Sequence, residues 1–371
     1  MENILSEKVV LEKNSLKTSI FWSFTCCLIV LAFLSIYFLK PVDITGDGLT
    51  YVQAMDVLQT SHSFTGFVPN RILTTFFGLE AVIVFAKLFG NLKIGWIVLN
   101  AFFYFLSSIF FYKLILSVFK SQKTAFLAGL FLAGNYSMIS FGLHYLMDIG
   151  GWTFYIISLY FLWQAMETEN EKNILFASMA VGIGGLFKEY AFLAFIPLGF
   201  YLLYTHRFTK KLLQKSILPI LLSFLPILFV YIYVYLNFHY TYLDWFGQNT
   251  IQYVYHSRII EYVKSLGSLL NFLGFLILGG LYVLWKDINI IDRKIKLFLI
   301  FIIISILPIF FWPAITQRIL FITVPTAIFV SSFLLKKHQK YFYLFLFILI
   351  LYLITNFFMD SFVLKAINLP F

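Results

Sequence analysis

Apolar runs of the length that crosses a membrane follow one another along almost the whole chain. A membrane-spanning helix needs roughly 17–25 mostly apolar residues, and we interpret eleven runs of this sequence as spans. Phe, Leu and Ile dominate every run, which predicts helices, because outer-membrane barrel strands alternate apolar and polar residues over short segments. The runs lie at residues 18–39, 95–112, 124–141, 150–166, 174–187, 190–205, 216–237, 265–285, 297–314, 319–335 and 341–359.

The composition excludes most other classes of protein. Hydrophobic residues make up 61% of the 371 residues and charged residues only 12%, whereas a soluble domain carries roughly 25% charged residues. The two cysteines, Cys26 and Cys27, are adjacent inside the first apolar run, so they can build neither a disulfide framework nor a zinc site. We therefore predict an all-α, polytopic membrane protein in which residues 1–371 form one transmembrane domain with no separate soluble domain.

Residues 71–90 decide the predicted topology. They are apolar enough to cross the membrane but contain three charged residues. If they do not cross and the N-terminus is cytoplasmic, 18 of the 27 lysines and arginines fall in cytoplasmic segments. If they cross, the basic loops around Lys211 and Lys337 move outside, which the positive-inside rule disfavours. We therefore predict about eleven spans, a cytoplasmic N-terminus, an outer C-terminus and a first outer loop at 41–94 with helices along the interface. The sequence leaves open whether 71–90 crosses.

Under this topology, the charged residues that are not in cytoplasmic loops gather at the outer face. None of the eleven predicted spans holds a charged side chain in its apolar core. The only long loops, 41–94 and 238–264, are also on the outer side, and a long loop in a compact protein is commonly functional. We therefore expect any chemistry at the outer membrane surface.

Asp47 is the strongest candidate for a catalytic group in the first outer loop. It follows closely on the first span and is flanked by Gly46 and Gly48, which allow a tight backbone turn. A short amphipathic helix over 50–58 would hold the carboxylate just above the membrane, with Tyr51 one turn away on the same face. A turn aspartate without a catalytic role is the alternative, because Asp-Gly pairs are common in turns.

The stretch from Asp47 to Tyr51 resembles the first periplasmic loop of the GT-C glycosyltransferases, polytopic enzymes that use lipid-phosphate sugars and include protein mannosyltransferases and lipid A aminoarabinose transferases. In that superfamily an aspartate precedes a tyrosine by four positions and is often followed by a second acid, where this chain has Gly48. The likeness covers roughly residues 18–205, with a weaker echo at 312–335. Its further features are Arg71-Ile72-Leu73, Leu88-Phe89-Gly90 before a span, Asp148 after the third span, Gly184-Gly185-Leu186-Phe187-Lys188-Glu189 ahead of Pro197, and Gln317-Arg318 ahead of Pro325.

The resemblance implies transfer of a sugar from a polyprenyl-phosphate donor, with inversion of the anomeric carbon. Asp47 would be the base that takes the proton of the acceptor. Cations at the outer face would stabilise the charge that develops on the leaving phosphate. The residues expected to bind the substrates are Tyr51, Arg71, His144, Asp148, Lys188, Glu189, Arg258 and Arg318.

The cations among these residues also have structural alternatives. Lys188 can snorkel at the end of a short span beside Glu189. Arg318 can anchor the membrane interface, and Arg258 can be a solvated loop charge.

Asp148 lies four residues after His144, and this spacing places both side chains on one face of a helix. There they could bind the sugar or phosphate, or simply bind each other. Two such residues are too few for a metal site, so we expect no metal and no other cofactor, although the sequence does not exclude a divalent cation.

Two rival functions share many of these features. A lipid or glycan transporter or flippase without chemistry would usually place ionisable residues in the middle of the membrane and show repeated halves, and neither is visible. A glycan polymerase or ligase would use the same kind of lipid-phosphate substrate. The composition is typical of bacterial plasma-membrane proteins, with the active face towards the periplasm or exterior and with membrane lipids, not nucleic acid, as partners. The sugar, the acceptor and the oligomeric state are not specified.

The predicted topology can be tested by labelling single cysteines in intact cells with a reagent that does not cross the membrane. Cysteines near Asp56 and Asn249 should react, because both positions lie in predicted outer loops. Cysteines near Lys211 and Lys337 should not react. Labelling at position 337 from outside would contradict the eleven-span topology.

Overall fold

A computed structural model describes residues 2–39, 43–60, 68–207, 209–253 and 258–359. The regular structure of these residues is entirely helical, as the continuous apolar runs predict. Parts of the two predicted outer loops, residues 41–42, 61–67 and 254–257, lie outside the described residues.

The α-helices of the described part are numbered in chain order, and short 3₁₀ or π segments join several of them. The α-helices are α1 (Glu2–Leu39), α2 (Asp47–Thr60), α3 (Val68–Phe89), α4 (Leu92–Phe119), α5 (Gln122–Ala133), α6 (Asp148–Thr168), α7 (Glu171–Gly185), α8 (Phe195–His206), α9 (Lys210–Phe238), α10 (Tyr242–Tyr253), α11 (Arg258–Leu270), α12 (Leu273–Asp287), α13 (Arg293–Ile306), α14 (Gln317–Leu320), α15 (Thr323–Lys337) and α16 (Phe342–Phe357).

Six helical stretches in the described part are long and apolar enough to cross a membrane by length and composition, and the bent pair α11–α12 could form a seventh span. The predicted count of eleven therefore stays a prediction. The six stretches are Thr18–Leu39, Val68–Phe89, Leu92–Phe119, Lys210–Phe238, Arg293–Phe311 and Gln339–Phe357.

Several of the predicted spans are not the continuous helices that we expected, and two have their breaks at polar residues. The run 124–141 is interrupted, because α5 ends at Ala133 and a π segment, Met138–Gly142, follows. The run 265–285 is divided between α11 and α12, which meet at an angle of 85°. The breaks hold Asn135 and Asn271, but so few polar residues within an apolar run did not distinguish a broken span from a continuous one.

Buried amide side chains bind the backbone at both of these breaks. Asn135 Nδ2 donates to the Leu269 carbonyl at 2.9 Å and to the Tyr352 hydroxyl at 2.6 Å. Asn356 Nδ2 donates to the Gly134 carbonyl, and its own Oδ1 accepts from Asn271. Because an unpaired carbonyl in an apolar interior is costly, these amides stabilise the interrupted helices.

The central helices are buried, and the peripheral helices expose apolar surface. Every residue of α5 from Leu127 to Ala133 is buried. By contrast, α9 and α16 expose large apolar side chains, including Leu236 and Phe347. A water-soluble bundle would cover these side chains, so the exposed faces are those expected to contact lipid.

Charged residues pair at both ends of the helix bundle. At the end that carries the basic loops, Lys215 binds Glu171 at 2.7 Å, Lys294 binds Glu169 at 3.2 Å, and α12 and α15 are joined by an ion pair. The other end carries Asp47 and its neighbours. The loops that the positive-inside rule assigns to one side of the membrane thus lie at the same end of the bundle.

Helix α3 contacts the Asp47 end of the bundle along its length. Non-helical backbone angles at Thr75 bend it (φ −142°, ψ 26°). The amides of Phe77 and Gly78 donate to the Leu186 carbonyl, and the chain at Ala86 packs directly on Gly95 of α4. These contacts support an interfacial course for 71–90, which stays a prediction because α3 is also long enough to cross.

Candidate active site

Helix α2 begins at Asp47 because the residues just before it form a tight turn. Gly46 has φ +54°, a left-handed conformation that glycine adopts without strain. The amide of Gly48 then donates to the Thr45 carbonyl at 3.0 Å and closes the turn. The predicted tight turn and the helix after it are both present, although the helix starts three residues earlier than expected. Its interfacial position stays a prediction.

Gly48, which departs from the superfamily pattern, lies in a crowded place. A Cβ atom there would be 2.7 Å from Ile44 Cγ2 and 3.2 Å from the Tyr145 carbonyl oxygen. The first contact is shorter than real Cβ atoms show, and the second is tight. A second acid following Asp47 would therefore require Ile44 to move.

Two arginines bind the carboxylate of Asp47, one on each oxygen. Arg71 Nη2 lies 2.7 Å from Oδ1, and Arg318 Nη2 lies 2.6 Å from Oδ2. Arg71 is held in turn by α2, because its Nε donates to Thr50 Oγ1 at 2.8 Å and its guanidinium lies 4.6 Å from the centre of the Tyr51 ring. Residues far apart in sequence thus converge on one carboxylate.

Arg318 also connects Asp47 to a second, buried acid. Its Nη1 lies 3.6 Å from Asp148 Oδ2, and the other oxygen of Asp148 accepts a hydrogen bond from the Tyr190 hydroxyl at 3.0 Å. The side chain of Asp148 is 2% exposed, whereas that of Asp47 is 35% exposed. Asp47 is therefore the accessible acid and Asp148 the internal one.

Lys188 and Glu189 form the fourth ion pair of the cluster. Lys188 Nζ lies 3.2 Å from Glu189 Oε2, and both side chains are largely buried. Burial alone would lower the pKa of Lys188, but Glu189, Tyr51 and Asp148 together outweigh this effect and raise the pKa above its usual value. The lysine therefore stays protonated at neutral pH.

The cluster consists of three acids and three cations, so its formal charge is zero when all six are ionised. The members are Asp47, Asp148, Glu189, Arg71, Lys188 and Arg318. An anionic ligand must compete with the carboxylates for these cations. The pair Arg318–Asp47 is the more accessible place for such competition, because both side chains retain exposure of 24% and 35%.

Asp47 is a weak base in this state. Burial alone would raise the pKa of its carboxyl, but Arg71 and Arg318, with a smaller contribution from Lys188, hold the pKa at about 2. The carboxylate is therefore ionised at neutral pH.

The predicted relation between His144 and Asp148 is wrong. Asp148 is the first residue of α6, whereas His144 lies in the bend before it, where its amide donates to the Phe141 carbonyl. The two residues therefore do not share a helix face. The spacing argument assumed a continuous helix, and the chain bends here because the π segment ends at Gly142.

Two further predicted binding residues, Tyr51 and Arg258, differ in their relation to the cluster. Tyr51 is 1% exposed, and its hydroxyl accepts a hydrogen bond from Arg71. Arg258 lies outside the cluster and donates to the Trp312 carbonyl at 2.8 Å.

Thr50 and Tyr190 contact the cluster but were not predicted. Each lies next to a residue that was predicted, Tyr51 and Glu189, so a search of the flanking polar residues could have found both. The hydroxyl of Tyr190 binds Asp148, and its ring stacks on buried Trp152.

The part of the chain that the structure describes holds no group of three or more His, Cys, Asp or Glu side chains placed to bind a metal. In the cluster, each carboxylate faces a cation at 3.6 Å or less. Independence from metals stays a prediction.

Comparisons with known proteins give two matches. The family model described as dolichyl-phosphate-mannose-protein mannosyltransferase matches residues 81–235. Among solved structures, the chain is similar to ArnT from Cupriavidus metallidurans bound to undecaprenyl phosphate, with a TM-score of 0.63 and 14% identity. The match covers 86% of this chain but only 60% of the ArnT chain. No curated protein matches this sequence.

These findings confirm the resemblance to the GT-C glycosyltransferases that the sequence indicates. They also confirm the fold class, an all-α polytopic membrane protein with a GT-C-like, ArnT-like fold.

The low pKa of Asp47 predicts how stability depends on pH. Because the folded-state pKa of about 2 lies below the usual value, the ionised carboxylate stabilises the folded protein. This contribution is fully present above about pH 4 and is lost as the pH falls through about 2. In detergent and above pH 4, the unfolding temperature of Asp47→Asn should therefore lie several degrees under that of the native protein. This difference in unfolding temperature should become smaller as the pH falls from 4 to 2.

The matched control for this measurement is Asp43→Asn, since the Asp43 carboxylate is 73% exposed in its pair with Lys93. Exposed ion pairs contribute little to stability, so the unfolding temperature of this variant should equal that of the native protein at each pH. A gap for Asp47→Asn that stays constant down to pH 2 would mean that the arginines do not lower the pKa of Asp47.

Proposed function

We propose that this protein is a membrane glycosyltransferase that moves a hexose or pentose from a polyprenyl-phosphate donor to an acceptor at the outer face of the bacterial plasma membrane. The observation that carries the proposal is a partly exposed carboxylate, Asp47, held between two guanidinium groups at one end of an ArnT-like fold. The match to a mannosyltransferase family model supports it.

Asp47 acts as the base in the proposed reaction. The acceptor hydroxyl or amine attacks the anomeric carbon while its proton passes to a free oxygen of Asp47. Asp148 is 2% exposed and Glu189 15% exposed, so neither meets an acceptor as readily. A positioned base contributes typically ~10²–10⁴-fold to the rate.

The leaving group explains why cations surround this base. As the acceptor bond forms, the bond between the anomeric carbon and the phosphate oxygen breaks, and the electron pair stays on the lipid phosphate. Arg318 and Lys188 stabilise that charge, the arginine through a bidentate fork and the lysine as a point charge. Attack from the face opposite the phosphate inverts the anomeric carbon.

Donor binding activates the base. A pKa of about 2 makes Asp47 a poor proton acceptor as long as both of its oxygens are bound. When the donor phosphate takes Arg318, Asp47 Oδ2 is released. Removing one cation from a buried carboxylate raises its pKa, so the base becomes stronger when the donor is in place.

The donor and the location of the protein follow from the same site. ArnT was solved with undecaprenyl phosphate, and a lipid phosphate lies at headgroup depth, where we place the charged cluster. The acceptor is a glycan, a lipid or a protein. A transporter is the less favoured function, because the described cations and acids gather at the ends of the bundle and not at its middle.

Replacement of Asp47 by asparagine tests the base. Asp47→Asn keeps the shape of the side chain and removes the proton acceptor, so transfer should fall by at least about 10²-fold. The protein should still reach the membrane and bind undecaprenyl phosphate. The donor and product are first identified by mass spectrometry of cell glycans and lipids with and without the gene, and the variant is then assayed as purified protein.

Asp43→Asn is the matched control, because Asp43 precedes Asp47 by four residues and binds only Lys93 among the described residues. It should lose much less activity. If Asp43→Asn is inactive and Asp47→Asn active, the base is wrongly assigned. If both variants remain fully active, the proposed transferase mechanism fails.

The phosphate site gives a separate prediction. Lys188→Ala and Arg318→Ala should weaken binding of undecaprenyl phosphate by about tenfold or more, because a hydrogen bond to a charged group is worth about 1.5–3 kcal/mol. Arg258→Ala should change binding little, since Arg258 lies outside the cluster. Native binding and turnover in both cluster variants would show that these cations are structural anchors.

A further inference from the structure

A cavity of about 1050 Å³ lies at the end of the bundle opposite Asp47. Its walls come from the ends of α6 and α8 and from the starts of α7, α9 and α13. The predicted topology places these segments on the cytoplasmic side. The proposed transfer reaction makes no use of this cavity.

The acids in the cavity wall already have partners. Glu169 binds Lys294 at 3.2 Å, and Glu171 binds Lys215 at 2.7 Å. Asp292 caps helix α13 by accepting the amide of Lys294 at 2.6 Å. These carboxylates therefore bind groups other than Arg207, Lys211 and Arg293, which are the remaining cations of the wall.

Three cations of the wall, Arg207, Lys211 and Arg293, form no ion pair within the described residues. Arg293 lies over the ring of Tyr204, with its guanidinium carbon 5.7 Å from the ring centre. With Lys215 counted, five lysines and arginines face three carboxylates, so the cavity has a net charge of +2, which suits an anionic ligand.

Arg207 occupies a backbone position that favours glycine. Its φ is +51° and its ψ is −162°, a combination that strains residues with a Cβ atom. The chain ends α8 here with an arginine instead of a glycine, which is the usual residue after a helix. Strain of this kind is found where a side chain has a function that outweighs it.

Apolar surface adjoins the cavity on the membrane side. Helices α8 and α13 pack together through the stacked rings of Phe200 and Phe301. Leu203 and Tyr204, which line the cavity, are exposed, and so is Ile300 of α13. A ligand with a phosphate and a hydrocarbon portion would cover both the basic cavity and the apolar surface beside it, whereas a soluble phosphate would cover only the cavity.

We propose that this cavity binds the phosphate headgroup of an anionic phospholipid from the leaflet opposite the proposed active site. Arg207, Lys211 and Arg293 bind the phosphate, and the acyl chains lie on the exposed apolar surface of α8 and α13. Basic pockets at the cytoplasmic ends of membrane helices are suited to such headgroups. This site is independent of the proposed transfer reaction.

Arg207→Gly separates binding from folding. Glycine relieves the backbone strain, so the unfolding temperature should be equal to or above that of the native protein. The same change removes a cation and should weaken binding of dioleoylphosphatidylglycerol about fivefold, while Lys211→Gln/Arg293→Gln should weaken it about 25-fold. Native mass spectrometry of the purified full chain measures the binding.

Lys336→Gln is the matched control, an exposed lysine at the same end of the bundle but outside the cavity. It should bind the lipid as the native protein does. Dioleoylphosphatidylcholine and inorganic phosphate should bind at least tenfold more weakly than dioleoylphosphatidylglycerol. Native lipid affinity in Arg207→Gly and in the double variant would overturn the proposal. Equal binding of phosphatidylcholine would overturn it as well, and tight binding of inorganic phosphate would assign the cavity to a soluble phosphate compound.

Discussion

One carboxylate shared by two guanidinium groups organises one end of this protein. Arg71 and Arg318 approach Asp47 from α3 and α14, and their chain positions differ from that of Asp47 by 24 and 271 residues. The interaction therefore requires the first outer loop and the late helices to be in place together. Arg318 extends the network to Asp148, so α2, α3, α6 and α14 are joined through charged contacts in a setting of low dielectric, where such contacts are strong and unpaired charges costly.

The cluster is neutral, and this neutrality affects how it can be used. A surplus of cations would attract any anion, including the headgroups of ordinary phospholipids. Here the three carboxylates already occupy the cations, so an anionic ligand must offer better contacts than they do. Under the proposed function, a sugar phosphate gains the contacts of its sugar as well, whereas an ordinary headgroup gains only the exchange of one anion for another.

The sequence predicted the local features of this site better than its long-range contacts. The turn at Gly46 and the position of Tyr51 follow from spacing within a few residues, and both were correct. Asp148, Lys188 and Arg318 were singled out as features of the resemblance to the GT-C glycosyltransferases, and the structure brings all three to the same cluster.

The errors arose where the helical period is interrupted within apolar sequence. His144 was placed on a helix face with Asp148 because the spacing argument assumed a continuous helix, although Gly134-Asn135-Tyr136-Ser137 follows directly on the end of α5 at Ala133. The 85° bend between α11 and α12 was missed for the same reason. Buried amides such as Asn135 are the physical signal of both breaks, since they bind carbonyls that a regular helix would satisfy. The crowding at Gly48 comes from Ile44 in the same loop and from Tyr145, and the contact with Tyr145, 97 residues away, could not be known from the loop itself.

The exposure of Asp47 has a consequence for turnover under the proposed mechanism. The side chain of Asp47 is 35% exposed, whereas that of Asp148, the other acid bound by Arg318, is 2% exposed. A proton taken from the acceptor can therefore leave Asp47 directly to water once the sugar has moved. The regenerated carboxylate then competes with the spent lipid phosphate for Arg318 and favours its departure. The same group that starts the cycle thus limits inhibition by the product, and an enzyme with a fully enclosed base would need a separate route for clearing its site.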